Sequence, residues 1–228
     1  MLSERTPRWF VTGTDTGVGK TFISAALLHA LATRHARVVG MKPVAAGLVL
    51  REGRMVSEDV LQLRAASTVQ VPADLDNPVA LPDPLSPHLA ARRAQRPVQV
   101  AELVSAFEAL CTHADAVLVE GAGGWRVPLN DSETLADLAR ALKAPVVMVV
   151  GMRLGCLNHA LLTAEAVRAD GLTLAGWVAN VIDPDMACLD ENIQTLQARL
   201  GAPLLGVVPW QPQPDAAAIQ LALPQVAP

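Results

Sequence analysis

The stretch from Phe10 to Thr21 constrains the fold of this chain more than any other part of it. It reads FVTGTDTGVGKT, so a short apolar run leads into a glycine-spaced loop that ends in Gly-Lys-Thr. An apolar helical pattern follows directly from Phe22. A strand, a glycine loop, Gly-Lys-Thr and a helix in this order predict a phosphate-binding P-loop, because glycines let successive backbone N–H groups face phosphate oxygens. The N-terminus of the helix adds roughly half a positive charge near the same anion.

The loop departs by one residue from the usual P-loop spacing. The pattern G-x-x-x-x-G-K-[ST] requires glycine at position 14, where this chain has Thr14, and the glycine lies one place earlier, at Gly13. Lys20 is expected to reach the β- and γ-phosphates of a nucleotide, and the Thr21 hydroxyl to bind Mg²⁺. An ordinary glycine-rich turn is the alternative, but the Lys-Thr pair and both flanking elements favour the P-loop.

Strands and helices alternate along the rest of the chain. Apolar runs predict strands at residues 37–43, 116–120, 146–150, 174–180 and 204–208. Helical patterns lie between them at residues 57–64, 100–113, 134–143, 158–169 and 185–200. This order predicts an α/β fold of the P-loop NTPase type, with a doubly wound, mainly parallel sheet and helices on both of its faces. The resulting architecture has three layers, αβα.

The length of 228 residues suits one domain over residues 1–228, without an internal linker. Residues 47–53 are predicted to form a loop. Residues 71–97 are rich in proline but too apolar for a disordered linker, so a packed excursion that contacts substrate is predicted. The tail from residue 209 to 228 carries little charge, and its order stays open.

Composition argues against several other classes of protein. The net charge of −4 leaves no basic surface for nucleic acid. The longest apolar run, residues 146–150, is far too short to span a membrane. Arg5, Arg8 and Trp9 do not form a secretory signal, and three scattered cysteines suit a reducing compartment better than a disulfide framework. We therefore expect a soluble cytoplasmic protein.

Charged residues lie where parallel sheets bind ligands, at the carboxyl ends of strands. Glu120 could be an acidic group near Mg²⁺, or a solvated glutamate at a strand end. Lys42 could neutralise charge on a transferred phosphoryl group, or extend from the surface. Asp59 could be a second carboxylate ligand, although Glu58 and Asp59 also suit the dipole of their own helix. Thr16 could donate its hydroxyl inside the loop, or cap the turn.

The ordered set of motifs resembles the dethiobiotin synthetase family. The resemblance runs from about residue 10 to residue 210. It rests on GTDTGVGKT, KPVA, SPH, EGAGGW, GCLNH, GWVAN and VPW, in that order along the chain. The family uses the longer P-loop. Related P-loop ligases and ATPases share single motifs, but the ordered set is specific.

The resemblance implies an ATP- and Mg²⁺-dependent ligase that forms C–N bonds in biotin biosynthesis. One amine of 7,8-diaminopelargonic acid takes up CO₂ as a carbamate, which attacks the γ-phosphate of ATP to give a carbamic–phosphoric anhydride. The second amine then closes the ring to dethiobiotin and expels phosphate. The family works as a homodimer, with no nucleic acid or membrane partner.

The resemblance also implies roles for individual residues. Lys42, Lys20 and Thr16 would be catalytic, and Thr21, Asp59 and Glu120 would hold Mg²⁺. ATP would contact Gly17, Val18, Gly19, Lys20, Thr21, Phe22, Asp59, Glu120, Gly121, Ala122, Gly123, Asn180, Pro209, Trp210 and Gln211, the last four around the adenine. Substrate would contact Thr16, Lys42, Ala46 and, from the facing subunit, Gly155, Cys156, Leu157 and Asn158.

Two residues depart from the pattern of this family, and two other classes of protein share part of the motifs. Ala46 stands where the family usually has a serine that contacts substrate, and Gly17 replaces a residue that is often acidic. An amide-forming ligase of cobalamin synthesis has a similar P-loop, but such chains usually continue into a glutaminase domain. A nucleotide-dependent switch or partitioning ATPase usually carries an extra lysine where this chain has Thr14 and Asp15.

Overall fold

The computed structural model describes residues 6–224. Its strands are β1 (Arg8–Gly13), β2 (Val38–Met41), β3 (Val44–Ala46), β4 (Val49–Arg51), β5 (Arg54–Val56), β6 (Val79–Leu81), β7 (Ala116–Glu120), β8 (Val146–Met152), β9 (Leu174–Val181) and β10 (Leu204–Val208). Its helices are α1 (Lys20–Ala32), α2 (Glu58–Ala66), α3 (Ala73–Asp76), α4 (Pro87–Arg93), α5 (Val100–Leu110), α6 (Leu135–Ala141), α7 (Cys156–Ala169) and α8 (Leu189–Leu200). A 3₁₀ turn, Ala216–Ala218, follows in the tail.

Six parallel strands form the central sheet in the order β10-β9-β8-β1-β7-β2. Strands β2, β7, β8 and β9 are buried throughout because helices cover both faces of the sheet, as all-parallel sheets require. The edge strand β10 leaves Val207 47% exposed. In β1, Trp9 and Val11 pack with Ile23 of α1 on one face of the sheet. Phe10 lies in the core on the opposite face, where its ring meets the ring of Trp125 edge-on, with 6.0 Å between the ring centroids. The predicted three-layer α/β fold is confirmed.

Several predicted boundaries are wrong for identifiable reasons. The second strand ends at Met41 rather than at residue 43, since Met41 is the last residue of β2 that pairs with β7. Pro43 has no N–H to donate to a neighbouring strand. The predicted helix over residues 185–200 starts only at Leu189, because Cys188 adopts a left-handed φ of 54° that breaks helical geometry. Helix α5 ends three residues early, at Leu110, and α7 starts two residues early, at Cys156.

The predicted loop over residues 47–53 is also wrong. Strands β4 and β5 form an antiparallel hairpin there, and its turn residues Glu52 and Gly53 have φ of 48° and 76°. Two consecutive left-handed residues match the twist of a tight hairpin, so Gly53 marks this turn rather than an open loop. The hairpin follows β3, which pairs in parallel with β6.

The proline-rich stretch 71–97 packs against the rest of the chain, as predicted, through α3, β6 and α4. In the tail, Leu221 and Leu223 pack against the core cluster that includes α1. Residues 225–228 and Arg5 lie outside the described part, and the single domain over 1–228 stays a prediction. None of the helices described within residues 6–224 is long and apolar enough to cross a membrane.

Candidate active site

The P-loop connects β1 to α1 at the middle of the sheet, since β1 lies between β8 and β7. Its last glycine, Gly19, has a left-handed φ of 83°. A Cβ atom on Gly19 would collide with Nδ2 of Asn180, which donates a hydrogen bond to the Val18 carbonyl at 2.9 Å. Glycine is therefore required here by both the backbone and the neighbouring side chain. Asn180, at the end of β9, holds the P-loop backbone in place.

Lys20 opens α1 and folds back over the loop. Its Nζ donates to the carbonyl of Asp15 at 3.3 Å, and the residue is 8% exposed. Burial lowers the pKa of Lys20, and the charge of Lys42 lowers it further, so that the pKa falls to about 8 despite the attraction of Glu120 and Asp59. A phosphate group would remove this penalty by adding negative charge next to the ammonium group.

Lys42 follows β2 and reaches Glu120 at the end of the neighbouring strand β7. Its Nζ lies 2.5 Å from Glu120 Oε1 and 2.9 Å from Asp59 Oδ2. Burial alone would lower the pKa of Lys42, but the two carboxylates outweigh it and raise the pKa. The interpretation of Lys42 as a surface lysine is wrong, because its side chain is 5% exposed.

The first turn of α2 separates two neighbouring acids, Glu58 and Asp59. Ser57 caps this helix by accepting a hydrogen bond from the N–H of Val60. Glu58 pairs with Arg51 at 2.5 Å on the surface, whereas Asp59 faces Lys42. Burial would raise the pKa of Asp59, but Lys42 and the Thr21 hydroxyl lower it overall, so Asp59 is ionised. Of the two acids, only Asp59 points into the cleft.

Thr21, Asp59 and Glu120 present oxygen atoms around one point, the ligand type that Mg²⁺ prefers. The Thr21 hydroxyl donates to Glu120 Oε1 at 2.8 Å. The second carboxylate oxygen of Glu120, Oε2, is buried and has no hydrogen-bond partner. A buried carboxylate oxygen without a partner is unfavourable, so this donor set fits a cation supplied together with a nucleotide. Within residues 6–224, no group of three or more His, Cys, Asp or Glu side chains is arranged to hold a metal ion by itself.

An open cleft of about 1340 Å³ contains these groups. Predicted site residues that line it are Thr16, Gly17, Gly19, Lys20, Thr21, Phe22, Lys42, Ala46, Asp59, Glu120, Ala122 and Gly123. The excursion contributes Ser86 and Pro87 to the same cleft. This volume exceeds the usual range of 300–1,000 Å³ for small-molecule sites, so a nucleotide and a second small molecule can share it.

Other predicted site residues lie outside this lining. Asn180 contacts the P-loop backbone, and Trp210, which is 49% exposed, lies beyond the end of β10. The tail lines the cleft farther along, through Pro214 to Ala217. Residues 155–158 form the start of α7 and do not line the cleft of their own chain.

Gln62 and Arg153 are among the contributors to the site that were not predicted. Gln62 lines the cleft, and its spacing of three residues from Asp59 on α2 would have indicated a shared helix face. Arg153 pairs with Asp15 of the P-loop at 2.5 Å, and Asp15 Oδ1 also accepts from the Thr16 N–H at 2.7 Å. No local pattern indicates this pair, because its members lie 138 residues apart.

Solved structures share the architecture at low sequence identity. A MinD septum-site protein from Pyrococcus horikoshii, complexed with Mg-ADP, matches with a TM-score of 0.57 at 18% identity, over 91% of this chain and 82% of that chain. A ParA family ATPase from Chlorobium tepidum matches with a TM-score of 0.55 at 13% identity, over 91% and 86%. These likenesses show the fold alone.

Sequence relatives are much more similar. The family model described as an AAA domain matches residues 8–218. An ATP-dependent dethiobiotin synthetase from Ralstonia nicotianae is 56% identical over 207 residues, which is 91% of this chain and 90% of that protein. The enzyme of the same name from Aromatoleum aromaticum is 52% identical over 215 residues, 94% and 96% of the two chains. With identity this high over nearly the whole length, the chain belongs to the dethiobiotin synthetase family.

Proposed function

We propose that this protein is an ATP-dependent dethiobiotin synthetase that converts 7,8-diaminopelargonic acid, CO₂ and ATP into dethiobiotin, ADP and phosphate. The observation that carries the proposal is the position of Lys42. A buried ammonium group, neutralised by two carboxylates, lies in the same cleft as a P-loop lysine. A ligase that forms a phosphorylated intermediate needs positive charge at this position beyond what the P-loop provides.

The first chemical step is a phosphoryl transfer. A carbamate oxygen of the substrate forms a bond to the γ-phosphorus, the bond from that phosphorus to the β,γ-bridging oxygen breaks, and ADP leaves with the electron pair. Lys20 would bind the phosphate oxygens, and Lys42 would stabilise the charge on the transferred group. Mg²⁺, held by Thr21, Asp59 and Glu120, would neutralise phosphate charge when bound. Thr16, at the mouth of the cleft, would orient the reacting group.

The second step closes the ring. The free amine attacks the carbonyl carbon of the anhydride and loses a proton, and the bond from that carbon to the phosphate oxygen breaks, so that phosphate leaves with the electron pair. Lys42 would stabilise the departing phosphate. Ala46 lines the cleft with a methyl group only, so the substrate hydrogen bond implied by a serine at this position is absent.

Phosphate release is the measurement that tests this function. We expect release from ATP and Mg²⁺ in bicarbonate buffer to require 7,8-diaminopelargonic acid, with stoichiometric formation of dethiobiotin. A diamine that lacks the carboxylate is the matched control, because it keeps the rest of the substrate. Release that continues unchanged without any diamine would exclude the ligase and indicate a nucleotide switch of the same fold.

We also propose a homodimer in which the start of α7 binds the substrate carboxylate of the facing subunit. Gly155 caps α7 with a left-handed φ of 97° and, having no side chain, makes no side-chain cap to the first turn. Leu154, beside this turn, is 95% exposed, and Leu162, about two turns into α7, is 55% exposed. These exposed leucines support a protein interface on this surface. The helix N-terminus beside them attracts a carboxylate, which supports the binding of the substrate there.

Mixing two inactive variants tests the shared site. Asn158→Asp adds a negative charge that suits the helix dipole but repels a carboxylate, so it should fold and fail to bind substrate. Mixed with Lys42→Ala after dissociation and reassociation, it should recover about a quarter of wild-type turnover, the share of sites left intact in a random set of two-fold dimers. If each site belonged to one subunit, the mixture would stay inactive.

The proposed compartment is the cytoplasm. All three cysteines, Cys111, Cys156 and Cys188, are unpaired thiols, which suits a reducing environment. Fractionation of cells that express the protein checks this, and recovery with the periplasmic or membrane fraction would contradict it.

A further inference from the structure

The peptide groups of Lys42 lie beyond the hydrogen-bonded part of the sheet. Strand β2 ends at Met41, whose partner on β7 is Val119, and the next residue but one is Pro43, which has no N–H. Lys42 is nevertheless 4% exposed. Buried peptide groups need hydrogen-bond partners, so the N–H and C=O of Lys42 must find them outside the sheet.

The turn that ends α3 supplies both partners. The Lys42 N–H donates to the Asp76 carbonyl at 2.8 Å, and the Asn77 side-chain Nδ2 donates to the Lys42 carbonyl at 2.7 Å. The same Nδ2 donates to the Val79 carbonyl at 3.2 Å, and these two acceptors determine which side-chain atom of Asn77 is the nitrogen. Two consecutive residues therefore bind the Lys42 backbone on both sides.

An ion pair connects this turn to the helix that carries Asp59. Arg64, in the last turn of α2, donates from Nε and from a terminal nitrogen to the two Asp76 oxygens, both at 2.6 Å. The Asp76 side chain is 4% exposed, and a paired guanidinium–carboxylate geometry restricts relative rotation of the two elements. Asp59, in the first turn of α2, lies 2.9 Å from the Lys42 Nζ.

We propose that Arg64, Asp76 and Asn77 are positioning residues for the phosphoryl-transfer step, and we call them the Lys42 brace. The brace holds the Lys42 backbone and helix α2 as one unit, so the ammonium group and the Asp59 carboxylate keep their separation when the cleft fills. None of the three residues lines the reacting end of the cleft, so the brace acts through Lys42. This inference rests on the role given to Lys42 in the proposed function.

Asn77→Ala removes the donor to the Lys42 carbonyl and tests the brace. Misplacement of a catalytic group by about 1 Å can slow a reaction on the order of 100-fold, so we expect kcat per folded molecule to fall roughly 10- to 100-fold. The KM for ATP should stay within about twofold of wild type, because the P-loop has no hydrogen bond to the brace. Arg64→Lys keeps the charge but loses the paired geometry, and it should lower kcat less while folding normally.

Asp115→Asn is the matched control. Asp115 also pairs with an arginine, Arg37, whose Nε and terminal nitrogen both donate to one carboxylate oxygen, Oδ1, at 3.1 and 2.7 Å. This pair lies before β7, at the opposite end of the sheet. The substitution should leave both kcat and the KM for ATP unchanged. If Asn77→Ala and Arg64→Lys also keep the wild-type kcat, or if they raise the KM for ATP in proportion to any loss of kcat, the brace is not a positioning device.

Hydrogen exchange separates a failure of the brace from a failure of the proposed function. In Asn77→Ala the Lys42 amide should exchange at least about tenfold faster than in wild type, while amides of β7 keep their protection. If wild type shows no diamine-dependent turnover but the Lys42 amide exchanges faster in Asn77→Ala than in wild type, the brace exists and the assigned reaction is wrong. If the Lys42 amide is equally protected in both proteins, the brace is overturned whatever the activity.

Discussion

Replacing Lys42 by alanine is expected to lower diamine-dependent phosphate release on the order of 100- to 1,000-fold, the usual effect of removing one donor that stabilises transition-state charge. The ammonium group lies in the cleft beside Glu120 and Asp59, at 2.5 and 2.9 Å. It has no hydrogen bond to the P-loop, so ATP affinity in the absence of metal should change little. Steady-state phosphate release and nucleotide binding by calorimetry measure the two effects separately.

The same substitution is expected to destabilise the apoprotein. The side chain of Glu120 is fully buried. Breaking a buried ion pair typically costs about 3–5 kcal/mol of folding free energy, because one charge is left without compensation. Asp59 is 45% exposed, so water screens its share and the lower end of that range applies. Thermal unfolding of the apoprotein measures this, and Mg²⁺ added together with ADP should stabilise the variant more than wild type.

Lys143→Ala provides the control for Lys42→Ala. The chain contains only three lysines, Lys20, Lys42 and Lys143, and Lys143 follows α6 away from the cleft. Its removal should leave turnover at the wild-type value. Turnover by Lys42→Ala within about threefold of wild type would contradict the role of Lys42 in charge stabilisation and leave it as a counter-ion for Glu120.

Glu120→Gln is expected to raise the Mg²⁺ concentration required for half-maximal turnover by at least about tenfold, as losses around a metal site usually do. The carboxylate provides Oε1, which accepts from Thr21 at 2.8 Å, and the buried Oε2 without a partner. Glutamine keeps the size of the side chain but removes its charge and turns one oxygen into a donor group. Mg²⁺ titration at saturating ATP and diamine measures the shift.

Two controls accompany this substitution. Glu102→Gln removes a carboxylate that pairs with Arg96 near the surface, and it should leave the Mg²⁺ requirement unchanged. Binding of Mn²⁺ to the Glu120→Gln protein with ADP, followed by electron paramagnetic resonance, provides a readout without turnover. An unchanged Mg²⁺ requirement together with unchanged Mn²⁺ affinity would remove Glu120 from the proposed metal site.

Local patterns in the sequence predicted the parts of this protein that depend on neighbouring residues. The P-loop, the strand at residues 116–120 and the strand at residues 204–208 were predicted from glycine spacing and apolar runs, and the structure has both strands with the same bounds. Boundaries failed where one residue decides the backbone, as at Cys188, whose left-handed φ delays α8. The hairpin at Glu52 and Gly53 was missed because its strands are only three residues each.

The chemistry of the cleft depends on contacts that only the tertiary structure shows. Lys42, Asp59 and Glu120 meet because β2 lies next to β7 and α2 packs beside β2, an arrangement that apolar periodicity does not specify. Asn180 reaches the P-loop from a strand more than 150 residues away, and Arg153 reaches Asp15 over 138 residues. Sequence alone determined the fold class, the P-loop and the family, because these depend on local spacing and motif order. The order of parallel strands decides which charged ends share one edge, and that order results from the packing of the whole sheet.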